Sequence, residues 1–147
     1  MEDQQKLQQI LSQLEAYKAQ SELYKQQIDA IQASIAEVKV LESTLDDIAK
    51  KDTVETLVPI GAGSFIKAEI KNEDNVVMSL GSGVAVTKTF DEAKVTAENQ
   101  KKELQDNLDK LLKDLQQITD IVAQLSPQAE ALMQKMQAQG MNPMAGY

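Results

Sequence analysis

Residues 1–52 place apolar side chains at steps of three and four. Leu7, Ile10, Leu14, Tyr17, Tyr24, Ile28, Ile31, Ile35 and Val38 follow one another in this way, and Ser21 fills the single gap. A sustained period of about 3.5 residues, rather than the ~3.6 of a straight helix, keeps one narrow seam turned toward a partner helix. The segment is therefore predicted to be one strand of a coiled coil. After Val38 the stripe passes to Leu41, Leu45 and Ile48, so it is expected to rotate about the helix there. Gln, Lys, Glu and Ala fill most other positions, and all are good helix formers.

Residues 90–139 repeat the pattern through Ala97, Leu104, Leu108, Leu111, Leu115, Ile118, Val122 and Leu125. The one misfit is Lys101, whose stem can lie along the interface while its charge reaches water. Asp91 and Glu92 favour a helix N-terminus after Phe90. Ser126-Pro127 is expected to break this helix, since proline donates no backbone hydrogen bond but fits the first turn of a new helix behind a serine cap. A short last helix, Gln128 to Gln139, would end at Gly140. At ~1.5 Å per residue each long helix extends roughly 60 Å. The simplest arrangement folds the two back on each other as an antiparallel rod, with both chain ends together.

Between the flanks the period falls to two, the signature of strands. Ile66, Ala68 and Ile70 alternate with Lys67, Glu69 and Lys71; Val76, Met78 and Leu80 alternate with Val77 and Ser79; Val84 and Val86 alternate with Ala85 and Thr87. Breaks fall at Gly61-Ala62-Gly63-Ser64, Asn72-Glu73-Asp74-Asn75 and Gly81-Ser82-Gly83, all rich in turn residues. With Leu57 to Ile60 as the first strand, this makes two hairpins in tandem. Hairpins of this size are not stable alone, so their edges and apolar faces need partners, most simply the same region of other subunits. The fold class is thus α+β: a long antiparallel two-helix coiled coil carrying two central β-hairpins. Its parts are an N-terminal helix (1–52), a hairpin region (53–89), a C-terminal helix (90–139) and a tail (140–147).

Composition removes most enzymatic readings. The 147 residues include no Cys, His or Trp, and all fifteen basic residues are Lys. That excludes a thiol nucleophile, an imidazole base and a Cys/His zinc site. Aromatic content is 3%, low for a globular core but adequate for a Leu/Ile seam. The net charge of −8 argues against a nucleic-acid partner, whose phosphates need a positive surface. No stretch has the roughly 18 apolar residues of a membrane helix, and the polar, acidic start does not read as a signal peptide, so a cytoplasmic location is expected. Gly81-Ser82-Gly83 lacks the Lys-Ser/Thr ending of a phosphate loop and joins strand to strand. The pairs Asp46-Asp47 and Glu73-Asp74 lack calcium-loop spacing. No catalytic, cofactor or metal site is assigned.

The run Val58-Pro59-Ile60-Gly61-Ala62-Gly63-Ser64-Phe65-Ile66-Lys67-Ala68, then Val77 and Leu80-Gly81-Ser82-Gly83-Val84-Ala85-Val86, set between two heptad helices, resembles the α class of the prefoldin family. The resemblance spans nearly the whole chain, and two hairpins rather than one separate this class from the β class. It implies an ATP-independent co-chaperone that binds unfolded polypeptide and hands it to a group II chaperonin. It also implies a hexamer of two α and four β subunits, whose hairpins join in a double β-barrel platform. The oligomerisation residues would be Val58, Ile60, Phe65, Ile66, Ala68, Ile70, Val76, Met78, Leu80, Val84 and Val86.

Client contact is expected at the coil end. Four of the six methionines, Met133, Met136, Met141 and Met144, lie in the last fifteen residues, and methionine suits a surface that must fit many partners. Antiparallel pairing sets them beside Leu7, Ile10 and Leu11. Leu7, Ile10, Leu132 and Met136 continue the seam and equally fit coil-end packing, whereas Leu11 and Met133 lie beside it and are better placed for contact. Met141 and Met144 fall in a Gly/Pro-containing tail, where an idle segment is as consistent as a binding one. Two other readings remain open: a structural or tethering coiled coil, and an α-type subunit that polymerises into filaments through its hairpins.

Overall fold

The computed structural model describes residues 2–140. Met141 and Met144 therefore lie outside the described residues. In order come α1 (Glu2–Ala49), β1 (Thr53–Gly61), β2 (Ser64–Lys71), β3 (Val76–Gly81), β4 (Val84–Lys88) and α2 (Phe90–Ala138). The chain packs as two units, one of residues up to Gln32 and from Asn107 onward, the other Ala33–Asp106.

In the first unit, Leu7 and Leu14 of α1 share a buried core with Ala129 and Met136 of α2. Ile10, Leu11, Val122, Leu125, Leu132 and Met133 pack around it. Early residues of one helix meet late residues of the other, so the pairing is antiparallel. Asp3 Oδ2 confirms the sense at 2.9 Å from Lys135 Nζ.

The break expected at Ser126-Pro127 is absent: α2 continues through Pro127, and no separate last helix forms. Proline there costs a backbone hydrogen bond, on the order of 3 kcal/mol in a helix interior. The seam outweighs this loss, because Leu125 before the proline and Ala129, Leu132 and Met136 after it all lie against α1. Pro127 itself is exposed.

In the second unit, Leu45, Met78, Phe90 and Ala93 form the core, with Leu41, Ile48 and Val76 packed against it. The second hairpin is thus seated on its own chain's helices. Thr89 caps α2: its Oγ1 accepts from the Glu92 amide at 3.2 Å. Thr89-Phe90-Asp91-Glu92 matches the Ser/Thr-x-x-Glu start signature.

Asn72 joins three segments. Its Nδ2 donates to the carbonyls of Ile48 (3.2 Å) and Lys51 (3.0 Å) at the end of α1. Its amide donates to Asp52 O, and its Oδ1 accepts from the Asp74 amide at 3.0 Å. The side chain thereby gives Ile48 O a second donor beside the Lys51 amide, supplies one to Lys51 O just past the helix, and shapes the turn into β3.

The hairpins are two separate two-stranded antiparallel sheets, β1–β2 and β3–β4. β1 begins at Thr53 rather than at Leu57, because Thr53-Val54-Glu55-Thr56 already alternates and pairs with Lys71 back to Ala68. Both turns use one device. Gly61 pairs with Ser64 across Ala62-Gly63, and Gly81 with Val84 across Ser82-Gly83, each after a register shift that leaves Ile60 or Leu80 as the extra residue. Ala62 (φ 47°) and Ser82 (φ 53°), with the glycines after them, carry the positive φ pair whose twist matches the flanking strands.

Candidate binding surfaces

The period-two pattern places two apolar faces on the first hairpin. Val58 opposite Ile66 and Val54 opposite Ile70 lie on one face; Leu57 opposite Lys67 and Pro59 opposite Phe65 lie on the other. Of these, Leu57, Val58, Phe65, Ile66 and Ile70 are exposed, together with Ile60 at the turn. On the second hairpin Val77, Leu80 and Val84 are exposed, Val77 at 69%. Large apolar side chains in water at this density, on strands with free edges, mark an interaction surface.

Among the expected oligomerisation residues, seven are thus exposed: Val58, Ile60, Phe65, Ile66, Ile70, Leu80 and Val84. Ala68, Val76 and Val86 are half-buried. Met78 departs from the expectation, being buried against Leu45, Phe90 and Ala93 of its own chain. β3 carries Met78 on the face toward the helices, whereas its neighbour Val77 points away. Leu57 and Val77 are exposed residues that the sequence reading passed over. Each belongs to the alternate face of a strand judged by one face only.

At the coil end, the structure separates the expected contact residues into two sets. Leu7 and Met136 are 0% exposed and form the interhelical core, so they are not surface in this conformation. Ile10, Leu11, Leu132 and Met133 are half-buried and rim that core. Counting heptads with Leu7 and Ala129 as equivalent core positions, Leu11 and Met133 both fall four residues later. In antiparallel pairing such positions share one flank of the coil.

The prefoldin subunit family model matches residues 17–135. The chain belongs to the prefoldin family. It is 52% identical to the prefoldin subunit alpha of Methanobrevibacter smithii over 97% of this chain and 100% of that protein. The prefoldin subunit alpha of Pyrococcus horikoshii is 30% identical over 88% of each chain. Among solved structures, a chain of filamentous prefoldin from Methanocaldococcus jannaschii matches with TM-score 0.50 at 25% identity, covering 82% of this chain and 95% of that one. The prefoldin beta subunit of Thermococcus strain KS-1 matches with TM-score 0.57 at 21% identity, over 86% and 90%, a likeness of fold alone. This is accordingly an α-class prefoldin subunit, with helices and hairpins in the order the resemblance implied.

Charge on this prefoldin chain is arranged in pairs between the helices. The hydrogen bond from Lys135, then its charge, holds the Asp3 carboxyl below the ordinary carboxylate range. Lys94 does the same to Asp46 at 2.8 Å, and its own ammonium is raised in return. Lys101, the seam misfit, lies 3.0 Å from Glu42 and 3.1 Å from Glu98, and hydrogen bonds to both raise its pKa. Among the described residues no group of three or more acidic side chains could hold a metal ion, and no helix is long and apolar enough to cross a membrane.

Proposed function

We propose that this chain is the α subunit of a cytoplasmic hetero-oligomeric holdase that binds unfolded polypeptides without ATP or catalysis and passes them to a group II chaperonin. The observation that carries the reading is 52% identity, over the full length of the relative, to a prefoldin subunit alpha. The exposed hairpin residues support the assembly half of the reading: two α subunits join four β-class subunits through these strands into a shared barrel platform. The half-buried rim at the coil end supports the binding half. Ile10, Leu11, Leu132 and Met133 offer adaptable apolar contact, Met141 and Met144 are assigned the same role by their chemistry alone, and Leu7 and Met136 hold the two helix ends beneath the rim. Several weak contacts from several coil ends give useful avidity while each stays easy to release.

The test is suppression of aggregation of a chemically unfolded protein by this chain mixed with a β-class partner. Removing residues 1–11 and 127–147 together should weaken suppression and leave the assembly intact; undiminished suppression would place the contact surface elsewhere. Charged replacements at Ile66 and Val84 should abolish assembly while helical content persists. A second reading, polymerisation of the chain through its own hairpins, is favoured by its likeness to a chain of a filamentous prefoldin. Native mass of the chain alone and with the β-class partner separates the two.

A further inference from the structure

Starting at Leu7 and counting every seventh residue along α1 gives Leu14, Ser21, Ile28 and Ile35, then Glu42. Counting back from Met136 along α2 in the same way gives Ala129, Val122, Leu115 and Leu108, then Lys101. Each seam row thus runs without charge from its outer end and places a charge at its sixth position. The two charges meet. Lys101 Nζ lies 3.0 Å from Glu42 Oε1 and donates to Oε2 at 3.3 Å, while Glu98 holds the same ammonium at 3.1 Å from its own helix. Glu42 Oε1 is out of reach of water and accepts no aligned hydrogen bond, so the Lys101 charge is what compensates it.

A pair so placed adds little to stability over a Leu–Leu contact, because both ends pay desolvation. A polar residue at one seam position does, however, discriminate among pairings. Slipping the helices by one heptad sets Glu42 opposite Leu108, or sets Lys101 opposite Ile35; either slip leaves a charge among apolar side chains. A third helix against the seam would remove the exposure that both side chains keep in the two-stranded pairing, at a further desolvation cost.

We propose that Glu42 and Lys101 are the pairing-specificity residues of this chain, holding its two seams in one antiparallel, two-stranded register in preference to slipped or multi-helix pairings. The reading concerns the helices alone and stands apart from chaperone activity.

The chain has no cysteine, so two introduced thiols report register cleanly. Lys39 and Lys102 border one groove between the helices and serve as label sites. Pulsed spin-label distances are measured on the full chain diluted with unlabelled copies, to isolate intrachain pairs. The parent should give a single distance. Glu42→Leu with Lys101→Leu should melt no lower than the parent yet show added distances displaced by about 10 Å, one heptad of rise, or interchain distances in undiluted samples. Lys101→Leu alone should melt lower than both. Exchanging the charges with Glu42→Lys, Glu98→Lys and Lys101→Glu should restore the single distance. A Leu–Leu variant that keeps only the parental distance, with no interchain pairs, overturns the proposal, as does an exchanged variant that stays heterogeneous.

Discussion

Asp3 of α1 and Lys135 of α2 form an ion pair at 2.9 Å, one residue from Met136 and four from Leu7, the two side chains wholly enclosed at that end of the coil. The pair ties the helix ends over the core they cover. Its acidic member titrates below the ordinary carboxylate range, as does Asp46 beside Lys94. A lowered carboxylate stabilises the fold above its unfolded pKa, and the contribution is lost as pH falls through the folded value. Melting temperature should therefore hold from neutrality to about pH 5 and decline below about pH 4. Asp3→Asn should flatten part of that decline. The change will be modest and smaller in high salt, since both pairs are largely exposed. On the alkaline side, Lys94 and Lys101 are raised, so their contribution persists through the ordinary lysine range and disappears as pH rises beyond it.

Core and rim at the coil end should respond in opposite ways. Leu7→Ala or Met136→Ala empties a fully buried site and should cost roughly 2–5 kcal/mol, toward the lower figure because a helix end can collapse. Leu11→Ser and Met133→Ser should cost less than about 1 kcal/mol and yet reduce capture of an unfolded client. Thermal melts alongside aggregation assays check this. Equal losses of stability for both sets would mean that the rim is core as well.

Pro127→Ala restores a backbone donor inside α2. The structure keeps the helix continuous at this point, so the variant should be more stable by up to about 3 kcal/mol. Urea melts followed by helical circular dichroism give the measurement. An unchanged or lower midpoint would show that the native helix does bend or open at the proline.

Asn72→Ala removes the amide that closes the end of α1. The lost hydrogen bonds should cost about 1–3 kcal/mol, read as an earlier melt. Asn72→Asp keeps the turn contact to the Asp74 amide but cannot donate to Ile48 and Lys51, so it should fall near the alanine variant. Recovery of parental stability by the aspartate would assign the role to the turn alone.

The long helices were legible because each repeats one signal many times, and no single residue had to be read correctly. Single residues are where reading failed. Pro127 promised a break by local chemistry, but seam contacts on both sides of it are tertiary and invisible to local rules. Glu42 lies seven residues after Ile35, but Leu41 beside it is apolar, so hydrophobicity alone points away from the phase that sets Glu42 against Lys101. Met78 shares its alternation with Val76 and Leu80, and only the packing of β3 on Phe90 and Ala93 shows that it serves its own chain's core. The acidic start at Asp91 and Glu92 marked the beginning of α2, whereas the cap itself, Thr89, comes from the structure, although Thr-x-x-Glu stands in the sequence. Which apolar residues at the coil end are core and which are rim depends on rotation about the helix axes, and a period alone leaves that angle open.

The two hairpins leave nine large apolar side chains in water and four strands whose outer edges meet no other strand among the described residues. A copy made without partners thus carries the same hazard it is proposed to relieve in others. In the assembly proposed above, its stability rises with the concentration of complementary subunits by mass action. On that proposal, cells that make this chain in excess of its partners should accumulate an orphan prone to sticking through its strand edges, and matched synthesis of the subunits follows from the exposed strands themselves.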